Sequence, residues 1–95
     1  MRVLGFDWDA TNRSKLEFHD LAPDDVEWLF EFGEPVFMLH PKHRKRRLAI
    51  GFVPDMCLVV VPFEYDVEIR WVRVITAHEA EHERWWKIYE KKKKR

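Results

Sequence analysis

Between Pro54-Asp55 and Pro62 lies a short apolar run, Cys57-Leu58-Val59-Val60-Val61, and no other stretch restricts the fold as tightly. A run this short and β-branched cannot be a spanning helix, and it lacks the polar alternation of a strand with one wet face. It reads as a central strand covered on both sides. Its neighbours, Arg46 to Val53 before it and Val67 to Ile75 after it, are expected to flank it in an antiparallel meander. At 95 residues, 46% hydrophobic and 15% aromatic, the chain has bulk for one core, so residues 1–95 read as a single domain.

The lone cysteine, Cys57, lies inside the apolar run and reads as a small core residue of a chain kept in a reducing compartment. No stretch approaches the roughly 18 to 20 apolar residues of a membrane span, and the N-terminus lacks a signal-peptide pattern. The expected location is cytoplasmic, with no membrane partner. A formal net charge of zero conceals an asymmetry: residues 1–34 carry three Lys/Arg against nine Asp/Glu, and residues 35–95 fourteen against eight. Such a split suits one face for an anionic ligand such as RNA and another for a basic partner, and it also suits attraction between the two halves. Zero net charge argues against indiscriminate nucleic-acid binding.

Val3 to Phe6 is a short apolar segment, and Asp9 is placed to cap a helix over about Ala10 to His19. Asn12, Leu16 and His19 share one face of that helix, which predicts that the two polar side chains turn inward to hold neighbouring backbone. Pro23 suits the first position of a second helix, with Asp24 and Asp25 near its positive end and Gly33-Glu34-Pro35 at its stop. Val26, Leu29 and Phe30 form the stripe that packs on the sheet. Pro35 to Leu39 adds a short edge strand.

The segment His40-Pro41-Lys42-His43-Arg44-Lys45-Arg46-Arg47 is a basic loop delivered to a sheet edge. Arginine forks match phosphate oxygens and lysine adds mobile charge, while the same residues also protect an edge from aggregation. In the strand that follows, Arg46 shares parity with Leu48 and Ile50 and can reach over the rim of the core into a cleft. Further on, strict alternation from Val67 to Ile75 would place Arg73 among apolar neighbours. A β-bulge near Trp71 and Val72 is therefore expected to bring Arg70 and Arg73 to one face. The last helix is expected to begin near Ala77, to gather His78, Trp85 and Tyr89 on an aromatic docking face, and to end in a basic tail, residues 91–95.

His78-Glu79-Ala80-Glu81-His82 literally matches the helical zinc motif H-E-x-x-H. Glu81 and Glu83 put charge where a metalloprotease helix is normally apolar, and no third ligand follows, so no metal and no other cofactor is expected.

Taken together, Phe6-Asp7-Trp8-Asp9, Asn12, His19, Leu21, Pro23-Asp24-Asp25-Val26, Arg46-Arg47-Leu48-Ala49-Ile50-Gly51, Leu58 to Val61, Arg73-Val74-Ile75-Thr76-Ala77 and Glu83-Arg84 resemble, in order and spacing, the BrnT family of bacterial type II toxins. The resemblance runs through most of the chain. Where the family commonly has Lys-His-Gly this chain has Phe18-His19-Asp20, and where it commonly has Ser-Ala-Arg it has Thr76-Ala77-His78. The resemblance implies an α+β fold of the RelE-like kind: N-terminal strand, two helices, antiparallel β-meander of three to four strands, C-terminal helix. It also implies a toxin that cleaves RNA without a metal and inhibits translation. Its partner would be a cognate antitoxin, typically a ribbon-helix-helix protein, with operator DNA bound only through that antitoxin.

Metal-free RNA cleavage needs the 2′-hydroxyl activated, charge on the phosphate stabilised and the leaving oxygen protonated. Arg46 and Arg73 are the candidates for phosphate stabilisation and His78 for proton transfer, with His19 in reserve. Lys42, His43, Arg44, Lys45, Arg47 and Arg70 are the candidates for RNA contacts. A non-catalytic interaction module with the same fold is the alternative, favoured by the departures at Asp20 and His78.

Overall fold

The computed structural model describes residues 1–94. The apolar run does form the middle of the sheet, as the first half of a longer strand. In chain order the elements are β1 (Gly5–Phe6), α1 (Ala10–Phe18), α2 (Pro23–Phe32), β2 (Val36–Leu39), β3 (Arg47–Phe52), β4 (Leu58–Asp66), β5 (Trp71–Val74), β6 (His78–Glu79) and α3 (Glu83–Lys93). The strands lie in the order β1-β5-β4-β3-β2, with β6 added alongside β4. From β2 to β5 the pairing is an antiparallel meander, and β1 joins β5 in parallel. The fold is thus α+β, with three helices on a mixed six-stranded sheet. Its radius of gyration, 12.4 Å, is that of one packed unit of this length.

Leu58 to Val61 are all buried, and successive residues feed opposite cores. Val59, Val61 and Phe63 join Leu16 of α1 and Val26 and Leu29 of α2, whereas Leu58 and Val60 join Leu48, Ile50 and Tyr89 of α3. The helices therefore cover both faces, which explains why the run shows no alternation. Pro62, read from sequence as the strand's end, lies inside β4 opposite Leu48. Its carbonyl accepts from the Ile75 N–H at 2.9 Å, on the side where β5 stops and β6 has yet to begin. A missing N–H at that gap removes no bond from the β3 ladder, so the proline is tolerated.

Asp9 caps α1 as expected. Its Oδ1 accepts from the Asn12 N–H at 2.9 Å, and Asn12 Oδ1 accepts in return from the Asp9 N–H at 2.8 Å. Asn12 is buried, and its Nδ2 donates to the carbonyls of Asp7 and Val74. His19 does not share that inward role: it is exposed at the helix C-cap. α2 begins at Pro23, and in place of a side chain from Ala22 the Asp25 carboxylate accepts from the Ala22 N–H. Gly33 ends α2 where a Cβ would sit 2.2 Å from the Phe52 carbonyl oxygen, so only glycine permits this approach to β3.

Further expectations are corrected. No β-bulge forms, because β5 is only Trp71–Val74, and Val67 to Arg70 are a turn. Asp66 accepts from the Glu68 and Ile69 N–H groups, Arg70 closes the turn at φ 60°, and regular pairing already turns Val72 and Val74 inward. Nor does a helix start at Ala77. His78 pairs with Val60 and the Ala80 N–H donates to Leu58, filling the edge of β4 that the short β5 leaves bare. Ala77 and Ala80 are buried in opposite cores, and His82 instead caps α3 by accepting from the Arg84 N–H. The H-E-x-x-H histidines are therefore not on one helical face. Finally, Lys91 to Lys93 are helical and Lys94 is the C-cap, while Arg95, the last residue of the expected tail, lies outside the described residues.

No helix of the described residues is long and apolar enough to cross a membrane.

Candidate functional site

Beyond Pro62, β4 changes character. Phe63 remains in the core, but Glu64 and Asp66 point away from it, opposite Arg73 and Trp71 of β5. Neither α3 nor β6 reaches this half of the strand. The result is a cleft of about 570 Å³ whose lining includes Asp7, Arg44, Lys45, Arg47, Glu64, Tyr65, Trp71 and Arg73. Arg73 donates to Asp9 at 2.7 Å and lies 3.5 Å from Asp7. The Asn12 backbone and then Arg73 hold the Asp9 carboxyl below the usual carboxylate range, and Asp9 in turn raises the Arg73 pKa. Arg46 lies just before β3 and approaches Glu64 at 3.9 Å, loose enough to leave donors free. The Arg47 guanidinium stands 5.7 Å over the Tyr65 ring, whose hydroxyl donates to the Arg2 carbonyl.

The basic loop that feeds this cleft is a closed turn. His40 Nδ1 accepts from the Lys42 and His43 N–H groups at 3.0 and 3.2 Å, the two imidazoles meet at 4.7 Å, and the His40 and Arg46 backbones close the base. Desolvation, followed by the positive charges around it, pushes the His40 pKa below its ordinary value. A neutral ring is what this turn needs, since a protonated Nδ1 cannot accept. Lys42 and His43 build the turn, Arg44 and Lys45 line the cleft, and Arg70 sits at the neighbouring turn between lining residues Ile69 and Trp71.

His78 and His19 occupy a different corner. Their rings are 6.2 Å apart, in a depression of about 410 Å³ lined also by Asp20, Glu79 and Glu81, and His78 stands edge-on to Trp85 at 6.4 Å. His78 pairs with Val60 whereas Arg73 pairs with Glu64, so four strand residues, about 13 Å, separate the two sites. Helix α1 spans the same interval: Asp9 at its N-cap grips Arg73, and His19 at its C-cap meets His78. Cys57 borders the histidine corner and is only partly buried, packing against the margin of the core rather than inside it. Hydrogen bonding to Asp55 and then to Glu79 pushes its thiol up to about 11. Among the described residues no group of three or more His, Cys, Asp or Glu is placed to hold a metal.

The structure thus places Arg44, Lys45, Arg47 and Arg73 along one cleft, brings Arg46 to the Glu64 carboxylate of that cleft, and leaves His19 and His78 apart from them. Asp7, Glu64 and Trp71, absent from the sequence-level candidates, complete the arginine cleft. The signal for Glu64 was present: Phe63-Glu64-Tyr65-Asp66 alternates where the preceding run does not. No family model matches the chain, and no curated protein matches it.

Proposed function

We propose that the chain is a metal-independent ribonuclease toxin of the BrnT kind, acting at the arginine cleft and restrained by a cognate antitoxin of the ribbon-helix-helix type. The observation that carries this reading is the approach of Arg46 to the Glu64 carboxylate at a cleft that Arg44, Lys45 and Arg73 also line, beside exposed aromatic surface. The carboxylate takes the proton of an RNA 2′-hydroxyl, and the freed oxygen attacks the adjacent phosphorus. The bond from phosphorus to the 5′-oxygen breaks, leaving a 2′,3′-cyclic phosphate, and the Lys45 ammonium supplies the proton to the departing oxygen. Arg46 and Arg73 donate to the phosphoryl oxygens as charge builds there, with Arg73 held in place in advance by Asp7 and Asp9. His19 and His78 lie outside this cleft and take no step in it.

The interaction-module reading draws support from the ion pairs that already occupy Arg73. Induced expression in bacteria separates the two. Growth arrest with new RNA 5′ ends for the wild-type chain, lost in Arg46→Ala and Glu64→Gln variants that remain folded, supports the ribonuclease. Unimpeded growth and intact RNA with soluble, folded wild-type protein would leave the interaction module.

A further inference from the structure

Trp71 is the one large ring that the strand pattern turns outward into the cleft. Its neighbours on β5 alternate as a half-buried strand should: Val72 and Val74 are buried, while Trp71 is 42% exposed and Arg73 shares its side. The indole has a floor. Trp71 stands opposite Gly5 in the parallel β1–β5 pairing, and a Cβ at Gly5 would come within 2.5 Å of Trp71 Cε2 and 2.8 Å of Cζ2. Only the bare glycine backbone lets the ring lie down across β1. A side chain there would stand the indole away from the strand. The ring rests on that backbone and remains open where it lines the cleft beside Arg44, Lys45, Arg47 and Arg73.

Resting on the RNA-cleaving reading, we propose that Trp71, bedded on Gly5, is a stacking platform for one unpaired base, so that the cleft takes single-stranded RNA. Residues two apart on a strand are about 7 Å from each other, which lets one nucleotide lay its base on Trp71 while its phosphate reaches Arg73. Stacking of this kind requires a base released from pairing, and it tolerates every base because each has a π face. Arginine and lysine around the ring hold the backbone on which that base is carried. Trp71 touches substrate in this arrangement and selects the strandedness of the RNA, while Arg46 and Arg73 address the phosphate and Glu64 the 2′-hydroxyl.

The test uses an all-2′-O-methyl oligoadenylate, which lacks the hydroxyl needed for cleavage, and its abasic counterpart, with binding to the full chain read by fluorescence anisotropy. Wild type is expected to bind the base-bearing strand at least about tenfold more tightly than the abasic one. Trp71→Phe should keep most of that preference, and Trp71→Ala should lose it, binding both strands alike. A folded Trp71→Ala protein that still prefers the base-bearing strand overturns the platform, as does a wild type that binds neither strand. Cleavage of unmodified RNA is followed in parallel. Cleavage with no base preference retains the ribonuclease and removes the platform, whereas a Trp71-dependent preference without cleavage retains the platform and removes the ribonuclease.

Discussion

The two halves of β4 belong to one strand, yet they do opposite work and lean on different neighbours: Leu58 to Val61 pair with β3, and Glu64 to Asp66 pair with β5. Leu58 to Val61 lie under α3 on one side and α1 and α2 on the other, with β6 closing their edge, and every side chain there is apolar. Past Pro62 the cover on one side ends, and Glu64 and Asp66 appear where apolar residues would otherwise be exposed. Chemistry follows cover. At the uncovered end lie arginines fixed by carboxylates; at the covered end, near the rim of β6, lie two histidines among acidic residues. The lesson is that residues of complementary reactivity in one small domain need not share a site. Here about 13 Å of strand separates them.

The largest expected contrast is kinetic. On the proposed ribonuclease reading, Arg46→Ala reduces RNA cleavage by roughly 100- to 1,000-fold, the usual loss when one donor to a developing oxyanion is removed, while His78→Ala and His19→Ala stay within about threefold of wild type. A collapse of cleavage in the histidine variants, measured on defined RNA, would reverse the assignment of the two ends. Next in size is the helix that joins them. Asn12→Ala leaves the Asp7 and Val74 carbonyls without their buried donor and should cost about 3 kcal/mol in urea denaturation. A loss below about 1 kcal/mol would show that α1 does not depend on this side chain to hold the arginine end.

The basic turn offers a pH contrast. The folded His40 pKa lies below its unfolded value of about 6.5, so just below that pH the unfolded chain binds more protons. His40's contribution to stability is therefore full above that value and lost as pH falls through the folded pKa. Two-dimensional NMR should show the His40 ring titrating late, with the Lys42 and His43 amide signals shifting in step. Titration above 6.5 would contradict the neutral acceptor. The smallest contrast concerns Cys57, whose raised pKa keeps it a thiol at neutral pH. Its alkylation by iodoacetamide at pH 8 should be about tenfold slower than that of a free cysteine, and Glu79→Gln should speed it.

Much of the framework was legible because local rules and tertiary packing agree. The apolar run located the sheet centre, Asp9 and Pro23 marked two helix starts, Gly33 marked a stop, and the parity of β3 was read correctly. Misreadings arose where a local pattern had two solutions. His78 to His82 fits a helix as well as an edge strand followed by a cap, and the choice was made by bare hydrogen-bonding groups on β4, which no local pattern reveals. Val67 to Arg70 has strand-like composition, but Asp66 gathers the following N–H groups into a turn. The arginines were identified by charge and by their parity along the strands. The alternation from Phe63 to Asp66 marks Glu64 as outward, but that it meets Arg73, with Trp71 beside them, emerges only when β4 and β5 are laid side by side.

By itself, the sequence determined the elements whose causes are local: a buried central strand, two helices with marked starts, a basic loop and the acidic-to-basic division of the chain. Only the tertiary structure decided which of the reactive residues meet. Hydrophobic periodicity fixes the face a side chain takes, since the strand repeat is two and the helix repeat 3.6. Position along the sheet is fixed by strand register and by where each covering element ends, which depends on partners tens of residues away. That is why Arg73 faces Glu64 and His78 faces Val60, although Arg73 and His78 are near neighbours in the chain.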